Sequence, residues 1–154
     1  MLIPGSFDTA GNAVVKIQIT GDLGNKEYTA IIDTGFSGFV VIPLAEMIPL
    51  GLRTEGAASV MLGNGTIIDN LVARGSVTLG SQTQSGTVLL DETSNDILIG
   101  MSFLRTFNLA LIVTATVVVL YGDQETLDAV AEFMAAAPTG SPTAEPDPAS
   151  GSGQ

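Results

Sequence analysis

The chain is 154 residues long, carries 16 acidic and 5 basic residues for a net charge of −11, and contains no His and no Cys. The length fits one domain, and the negative charge makes nucleic acids and anionic membranes poor partners. The missing side chains exclude Ser-His and Cys-His nucleophiles, thiolate or imidazole metal ligands, and disulfides, so hydrolytic chemistry is left to carboxylates, hydroxyls, the few Lys side chains or a hard metal ion. Residues 1–8 show neither the basic start nor the apolar run of a secretory signal, and we expect a cytoplasmic protein.

Short apolar segments separated by Gly, Asn and Asp between residues 13 and 121 predict an all-β domain. Val15, Ile17 and Ile19 alternate with polar residues, which predicts a strand with one buried face. The segment Gly63-Asn64-Gly65 lies between two strand-like runs and is a strong β-hairpin signal. Further predicted elements are strands over 27–32, 39–42, 58–62 and 66–72 and a short helix over 44–50 that ends at Gly51.

The following segment predicts more strands and a short helix after Gly100. The runs 76–79 and 87–90 indicate a strand pair joined through 80–82, and Ile97-Leu98-Ile99 indicates a short buried strand before one or two helical turns over 101–107. The stretch 109–121 falls well short of the ~20 apolar residues that a membrane-spanning helix needs. Its richness in β-branched residues instead predicts two buried strands.

The hydrophobic period changes after Gly122. Apolar residues at helical spacing predict an amphipathic helix over 123–137, and the Pro, Ala, Ser, Thr and Gly residues of 138–154 predict a disordered tail. We therefore divide the chain into an N-terminal extension (1–12), one domain (13–122), the C-terminal helix and the tail.

The segment from Ala30 to Gly38 is the most informative, because an apolar strand runs directly into Asp33-Thr34-Gly35. A charge at the end of a buried strand is costly unless hydrogen-bond donors hold it. Gly35 lets the backbone turn sharply and bring amide donors to the carboxylate, and the Thr34 hydroxyl can fasten the loop. The same tripeptide also occurs as a structural β-turn in which Asp caps the backbone, so the tripeptide alone leaves both alternatives open.

Two further segments accompany this one in a fixed order. Ile-Ile-Asp-Thr-Gly-Phe-Ser-Gly at 31–38 is followed by Leu-Gly-Asn-Gly-Thr at 62–66 and by Ile-Leu-Ile-Gly-Met at 97–101 with Phe103-Leu104. In this order they resemble the retropepsin-like (clan AA) single-domain aspartic proteases, in particular the prokaryotic group with Asp-Thr-Gly-Phe-Ser/Thr-Gly. The resemblance covers residues 14–121 and implies an all-β, acid-protease half-barrel with one short helix after Gly100, to which the C-terminal helix is added.

The resemblance implies an aspartic endopeptidase, in which two aspartates hold and activate one water. The chain has one Asp-Thr-Gly, and Asp8-Thr9-Ala10-Gly11 lacks Gly in the third place. The second aspartate is therefore expected from Asp33 of another copy, which makes a homodimer a requirement of the chemistry. The expected partners are a second copy and a peptide or protein substrate, with no nucleic acid or membrane.

The resemblance also assigns roles around Asp33. Thr34 is expected to brace the two loops of the dimer, Gly35 to supply backbone contacts, and Phe36 and Ser37 to complete the active-site loop. The hairpin Gly63, Asn64 and Gly65 corresponds to the flap over the substrate, and Ile99 and Gly100 support the loop. No metal or other cofactor is expected, because the acids at 91, 92 and 96 are interpreted as solvated loop charges.

Some positions depart from better-known members. Bilobal members carry a hydroxyl residue where this chain has Phe36, and its absence predicts a dyad that keeps its proton to higher pH. Retroviral members place an ion pair at the positions of Ser37 and Met101, both neutral here. The alternative function is a catalytically silent peptide-binding or assembly module on the same fold, and the intact Asp-Thr-Gly favours the enzyme.

Overall fold

The computed structural model describes residues 1–61, 65–122 and 128. The predicted helix over 123–137 lies outside the described residues except for Asp128, and the predicted tail over 138–154 lies wholly outside them. The strands are β1 (Leu2–Pro4), β2 (Ser6–Phe7), β3 (Ala13–Thr20), β4 (Asn25–Ile32), β5 (Val40–Pro43), β6 (Thr54–Met61), β7 (Ile67–Leu79), β8 (Gln82–Asp91), β9 (Leu98–Ile99), β10 (Ala110–Val113) and β11 (Val118–Tyr121). The helices are a 3₁₀ turn (Leu44–Glu46), α1 (Met47–Leu50) and α2 (Met101–Thr106). No helix in this described part is long and apolar enough to cross a membrane.

Eight strands form one sheet in the order β2-β3-β4-β9-β5-β8-β7-β6, and an added β3–β7 pairing closes it on itself. The residue pattern of β3 shows which face of this sheet is buried. Val15, Ile17 and Ile19 point to the buried face, while Lys16 and Gln18 are exposed. The interior is filled by buried apolar side chains from the strands and from α1 and α2. The largest fully buried ones are Ile17, Ile19, Val40, Ile42, Leu50, Val77, Leu79, Val88, Leu90, Ile99, Phe103 and Leu120.

A smaller sheet has the order β1-β11-β10. The residues assigned to an N-terminal extension supply β1 to this sheet and β2 to the edge of the larger one. Gly5 joins the two, because its N–H donates to the Val118 carbonyl and a Cβ at Gly5 would lie 2.6 Å from the Val14 carbonyl oxygen. The two sheets are therefore in direct backbone contact.

Two predictions about the strands are wrong in detail. The runs 66–72 and 76–79 belong to the single strand β7, because Gly75 stays in the ladder opposite Gly86. A Cβ at Gly75 would lie 3.1 Å from the Val88 side chain, so this glycine marks close packing and not the end of a strand. β8 likewise begins at Gln82, after the two-residue turn Gly80-Ser81, and not at Thr87.

The two strands predicted over 109–121 are present, but only one is buried. Val118 and Leu120 of β11 are buried in the core, whereas Ile112 and Val113 of β10 are about half exposed. The reason is topological: β11 is central in its sheet and β10 is at the edge.

A carboxylate network ties the start of β4 to the 3₁₀ turn. The Lys26 ammonium donates to both Glu46 carboxylate oxygens at 2.7 and 2.9 Å, and the Tyr28 hydroxyl donates to Oε2 at 2.6 Å. The hydrogen bonds from Lys26 and then from Tyr28 lower the pKa of Glu46 below its ordinary value of 4.5. Burial and the nearby Glu46 carboxylate raise the pKa of Tyr28.

This network predicts a pH-dependent contribution to stability. Because the pKa of Glu46 is lowered by folding, its stabilisation is complete above pH 4.5 and is lost as the pH falls through the folded value. Glu46→Gln is expected to lower the free energy of unfolding by about 1–2 kcal/mol at pH 7, with the difference from wild type shrinking below pH 4.5. Urea unfolding from pH 3 to 7 measures it. The control Glu27→Gln removes only the exposed pair with Lys16, and an equal effect there would contradict the assignment.

Candidate active site

The Asp33 loop connects two strands that are not neighbours. The chain leaves β4 at Ile32 and enters β5 at Val40, while β9 lies between these strands, parallel to β4 and antiparallel to β5. The loop therefore crosses the end of β9. The Asp33 N–H donates to the Ile99 carbonyl at 2.9 Å, so Asp33 stands beside the point where β9 ends.

The Asp33 carboxylate is half-buried and held by its own turn. Its Oδ1 accepts the Gly35 N–H at 2.9 Å, and the Phe36 N–H donates to the Asp33 carbonyl at 3.2 Å. A Cβ at Gly35 would lie 3.2 Å from Oδ1, so the absence of a side chain there lets the amide approach the carboxylate closely. Within the described residues, Oδ2 has no hydrogen-bond partner and the exposed Thr34 hydroxyl makes none.

The far half of the loop is tied to the start of α2. The first N–H groups of a helix have no partner inside the helix. Here no side chain caps α2; instead the Met101 N–H donates to the Phe36 carbonyl at 2.8 Å, and the Ser102 N–H donates to the carbonyls of Ser37 and Gly38 at 3.2 and 3.1 Å. The loop and the helix therefore satisfy each other's backbone groups.

The loop ends on an aromatic cluster beneath the site. The Phe39 ring lies 5.4 Å from the Phe103 ring and 6.5 Å from the Phe107 ring, centroid to centroid, and all three are buried. The Phe39 carbonyl accepts the Gly100 N–H at 3.1 Å. These contacts fix the end of the loop against α2.

The Phe36 ring covers two glycines. A Cβ at Gly38 would overlap the ring, with Cε2 at 2.6 Å, and a Cβ at Gly100 would lie 2.5 Å from ring atom Cδ1. A Cβ at Gly100 would also overlap the Phe36 carbonyl oxygen and lie 2.5 Å from that of Gly38. Sequence reasoning missed this contact and left Gly38 out of the site; the signal was the glycine two positions after Phe36.

A known family model matches more than half of the chain. The family model described as "gag-polyprotein putative aspartyl protease" matches residues 19–106, a stretch that contains both the Asp33 loop and Gly100. The chain belongs to this aspartyl protease family. A search of curated proteins finds no match.

Two solved structures show the fold of this family member. A retropepsin-like aspartic protease from Rickettsia conorii is 18% identical with a TM-score of 0.50, covering 78% of this chain and 88% of that one. EIAV protease complexed with the inhibitor HBY-793 is 12% identical with a TM-score of 0.57, covering 70% of this chain and 99% of that one. The predicted all-β, retropepsin-like fold is therefore confirmed.

In this aspartyl protease family member, the structure brings most of the predicted site residues together. Residues 33–37 form one loop, and Ile99 and Gly100 lie directly beside it. Of the predicted flap, Gly63 and Asn64 lie outside the described residues, whereas Gly65 is exposed with a φ of 83°. The strands below it are paired as predicted, with Met61 opposite Ile67, so five residues connect them. Among described residues, no hydrogen bond joins Gly65 to the Asp33 loop.

A cavity of about 380 Å³ lies at the other end of β4, near Thr20, Gly21 and Leu52. Its charged walls are ion pairs, Arg53 with Asp22 at 2.8 Å and Arg74 with Glu55 at 3.6 Å. The Asp33 carboxylate does not line this cavity. No cluster of three or more metal-ligating side chains occurs in the part of the chain that the structure describes.

Proposed function

We propose that this chain is an aspartic endopeptidase that hydrolyses peptide bonds with a water held between two Asp33 carboxylates, one from each copy of a homodimer. The observation that carries the proposal is the Asp33 loop: Oδ1 is fixed by the Gly35 N–H, whereas Oδ2 has no partner among the described residues. One half of a dyad is thus oriented and left open. The match to an aspartyl protease family supports the proposal.

The chemistry follows from bringing two carboxylates together. Two adjacent carboxyl groups cannot both ionise readily, so the dyad shares one proton. The ionised carboxylate accepts a proton from the water as the water oxygen attacks the peptide carbonyl carbon. The protonated carboxyl group donates its proton toward the carbonyl oxygen. Collapse of the tetrahedral intermediate breaks the C–N bond, and a proton from the dyad goes to the leaving nitrogen.

The second copy also gives Thr34 a role. Its side chain is exposed, and its hydroxyl makes no hydrogen bond inside the described part of the chain. In the proposed dimer this hydroxyl bonds the partner's loop and braces the dyad. Gly63, Asn64 and Gly65 are proposed to cover an extended peptide as a flap.

The exposed edge of β10 suits the contact between copies. Val113 pairs with Val118, and the Val118 carbonyl accepts the N–H of Gly5. Gly5 packs against Val14 at the start of β3. Val14 in turn pairs with Ile31, two residues before Asp33. This end of the hairpin thus lies at the same end of the barrel as the site. The other edge, β1, ends at a proline, which has no N–H for pairing.

The dimer contact is tested by charging this edge. The substitution is Ile112→Lys, at a residue that is 49% exposed. A lysine ammonium buried between two copies opposes their association. We therefore expect a shift toward monomer in sedimentation and a fall of about 10-fold or more in specific activity at micromolar concentration. The control is Ile48→Lys on α1, at 75% exposed, which should change neither. Equal dimerisation of the two variants would remove β10 from the interface.

The activity itself is tested by incubating the purified chain with a peptide library from pH 3 to 8, with and without a peptide mimic bearing a hydroxyl at the scissile position. Cleavage that the mimic inhibits supports the endopeptidase. Binding of peptides without cleavage at any pH would favour the catalytically silent module instead.

A further inference from the structure

We propose that Phe36 is a positioning residue whose ring, seated over Gly38 and Gly100, sets the orientation of the Asp33 carboxylate. This rests on the proposed function, because it concerns how that carboxylate is held. The ring belongs to no binding or proton-transfer step; it acts through the turn that contains Asp33 and Gly35.

The ring is the side-chain anchor in the middle of the loop. Thr34, Gly35 and Ser37 are exposed, whereas Phe36 is partly buried. The backbone bonds to α2 hold the carbonyls of residues 36–38, but they leave the peptides between Asp33 and Phe36 to the turn alone. A large apolar side chain fixed at position 36 therefore restricts the conformations of this turn.

The slot for the ring is built by two glycines from separate parts of the fold. Ring atom Cε2 lies 2.6 Å from the position of a Cβ at Gly38, and Cδ1 lies 2.5 Å from that of a Cβ at Gly100. Any side chain at either position would expel the ring. Neither glycine has a positive φ, so close approach and not backbone conformation requires them. The ring is what approaches Gly38, whereas the ring and the carbonyls of residues 36 and 38 approach Gly100.

The turn transmits this restraint to the carboxylate. The Phe36 N–H donates to the Asp33 carbonyl at 3.2 Å, and the Phe36 carbonyl accepts the Met101 N–H at 2.8 Å. Phe36 therefore closes the turn on one side and ties it to α2 on the other. The Gly35 N–H lies inside this turn and donates to Asp33 Oδ1 at 2.9 Å. A ring held in its slot keeps this donor directed at the carboxylate.

The test is a double-mutant cycle. Phe36→Ala removes the ring and is expected to lower kcat about 10-fold with little change in KM, because the carboxylate is less well oriented. Gly38→Ala forces the ring out and should lower kcat similarly. In Phe36→Ala/Gly38→Ala the added methyl no longer meets a ring, so the second substitution should cost no further activity. Phe36→Leu, which keeps an apolar side chain in the slot, should recover most of kcat. If Phe36→Ala does not fold, Gly38→Ala, which expels the ring, carries the test of the positioning role.

Gly100→Ala is the matched control. Its methyl would meet the backbone carbonyls of Phe36 and Gly38 as well as the ring, so removing the ring leaves the overlap in place. The loss in Gly100→Ala should therefore persist in Phe36→Ala/Gly100→Ala. Equal rescue of Gly100→Ala and Gly38→Ala would mean that loss of the ring offsets an added methyl whatever that methyl meets, and the rescue at Gly38 would then no longer support the proposed slot.

A second readout keeps this proposal separate from the proposed function. Hydrogen exchange of the Gly35 amide, measured by NMR, reports the bond to Asp33 directly and needs no substrate. Exchange should rise about 10-fold in Phe36→Ala and return toward wild type in Phe36→Leu. If the wild type cleaves no peptide, the proposed function fails, but Gly35 exchange still decides the role of Phe36. Wild-type Gly35 exchange in Phe36→Ala would overturn the positioning role.

Discussion

Replacing Asp33 with Asn is expected to lower kcat/KM for peptide hydrolysis by at least about 10³-fold, because an amide cannot accept a proton from water. The Asn side-chain oxygen can still accept the Gly35 N–H that now binds Asp33 Oδ1. The variant should therefore fold and dimerise as the wild type does. Peptide cleavage measured beside sedimentation and thermal unfolding separates loss of chemistry from loss of structure.

The control for this substitution is Asp8→Asn, at the other Asp-Thr pair of the chain. Asp8 is partly exposed, and its carboxylate accepts hydrogen bonds from residues 10 and 12 of its own turn. Its activity should equal that of the wild type. A comparable loss in both variants would indicate a general effect of removing acidic charge and would contradict the role of Asp33.

Mixing wild type with Asp33→Asn tests whether the two carboxylates come from two copies. If subunits exchange freely, an equal mixture contains about one quarter wild-type dimers, so activity should fall to about one quarter of the undiluted wild type. A monomeric enzyme would retain about one half. The mixture thus distinguishes a shared dyad from a site complete within one chain.

Local patterns made most of the barrel predictable. The alternation in β3 and the apolar run before Asp33 depend on residues close in sequence, and the structure places both as buried strands entering the core. The predicted break between the runs 66–72 and 76–79 was wrong because a glycine such as Gly75 within a run of strand residues resembles a turn signal. Its role, space for the Val88 side chain, depends on a residue of the neighbouring strand.

The contacts around Phe36 were out of reach for the same reason. Gly100 follows a different strand, and the proximity of its Cα to the Phe36 ring arises only because β9 inserts between β4 and β5. The exposure of β10 could not be predicted from composition either, since Ile112 and Val113 are as apolar as the residues of β11. Which strand is at the edge is decided by the pairing of β1 with β11.

Gly35→Ala is the second large expected effect, and it should affect activity far more than stability. The added Cβ would lie 3.2 Å from Asp33 Oδ1, closer than ordinary contact, so the carboxylate must move by a few tenths of an ångström. Because catalysis depends on placement of the reacting groups, kcat should fall by about 10- to 100-fold. The free energy of unfolding should change by less than about 1 kcal/mol, since the position has no positive φ and alanine restricts the unfolded chain.

Gly24→Ala provides the matched control for this argument. It is also a loop glycine without a positive φ, but a Cβ there would have no neighbour within 4 Å. Like Gly35→Ala, Gly24→Ala should change the free energy of unfolding by less than about 1 kcal/mol, while its kcat should equal that of the wild type. If Gly35→Ala retains full kcat, contact between this position and the Asp33 carboxylate does not govern catalysis; if both variants lose kcat equally, backbone rigidity and not carboxylate placement is the cause.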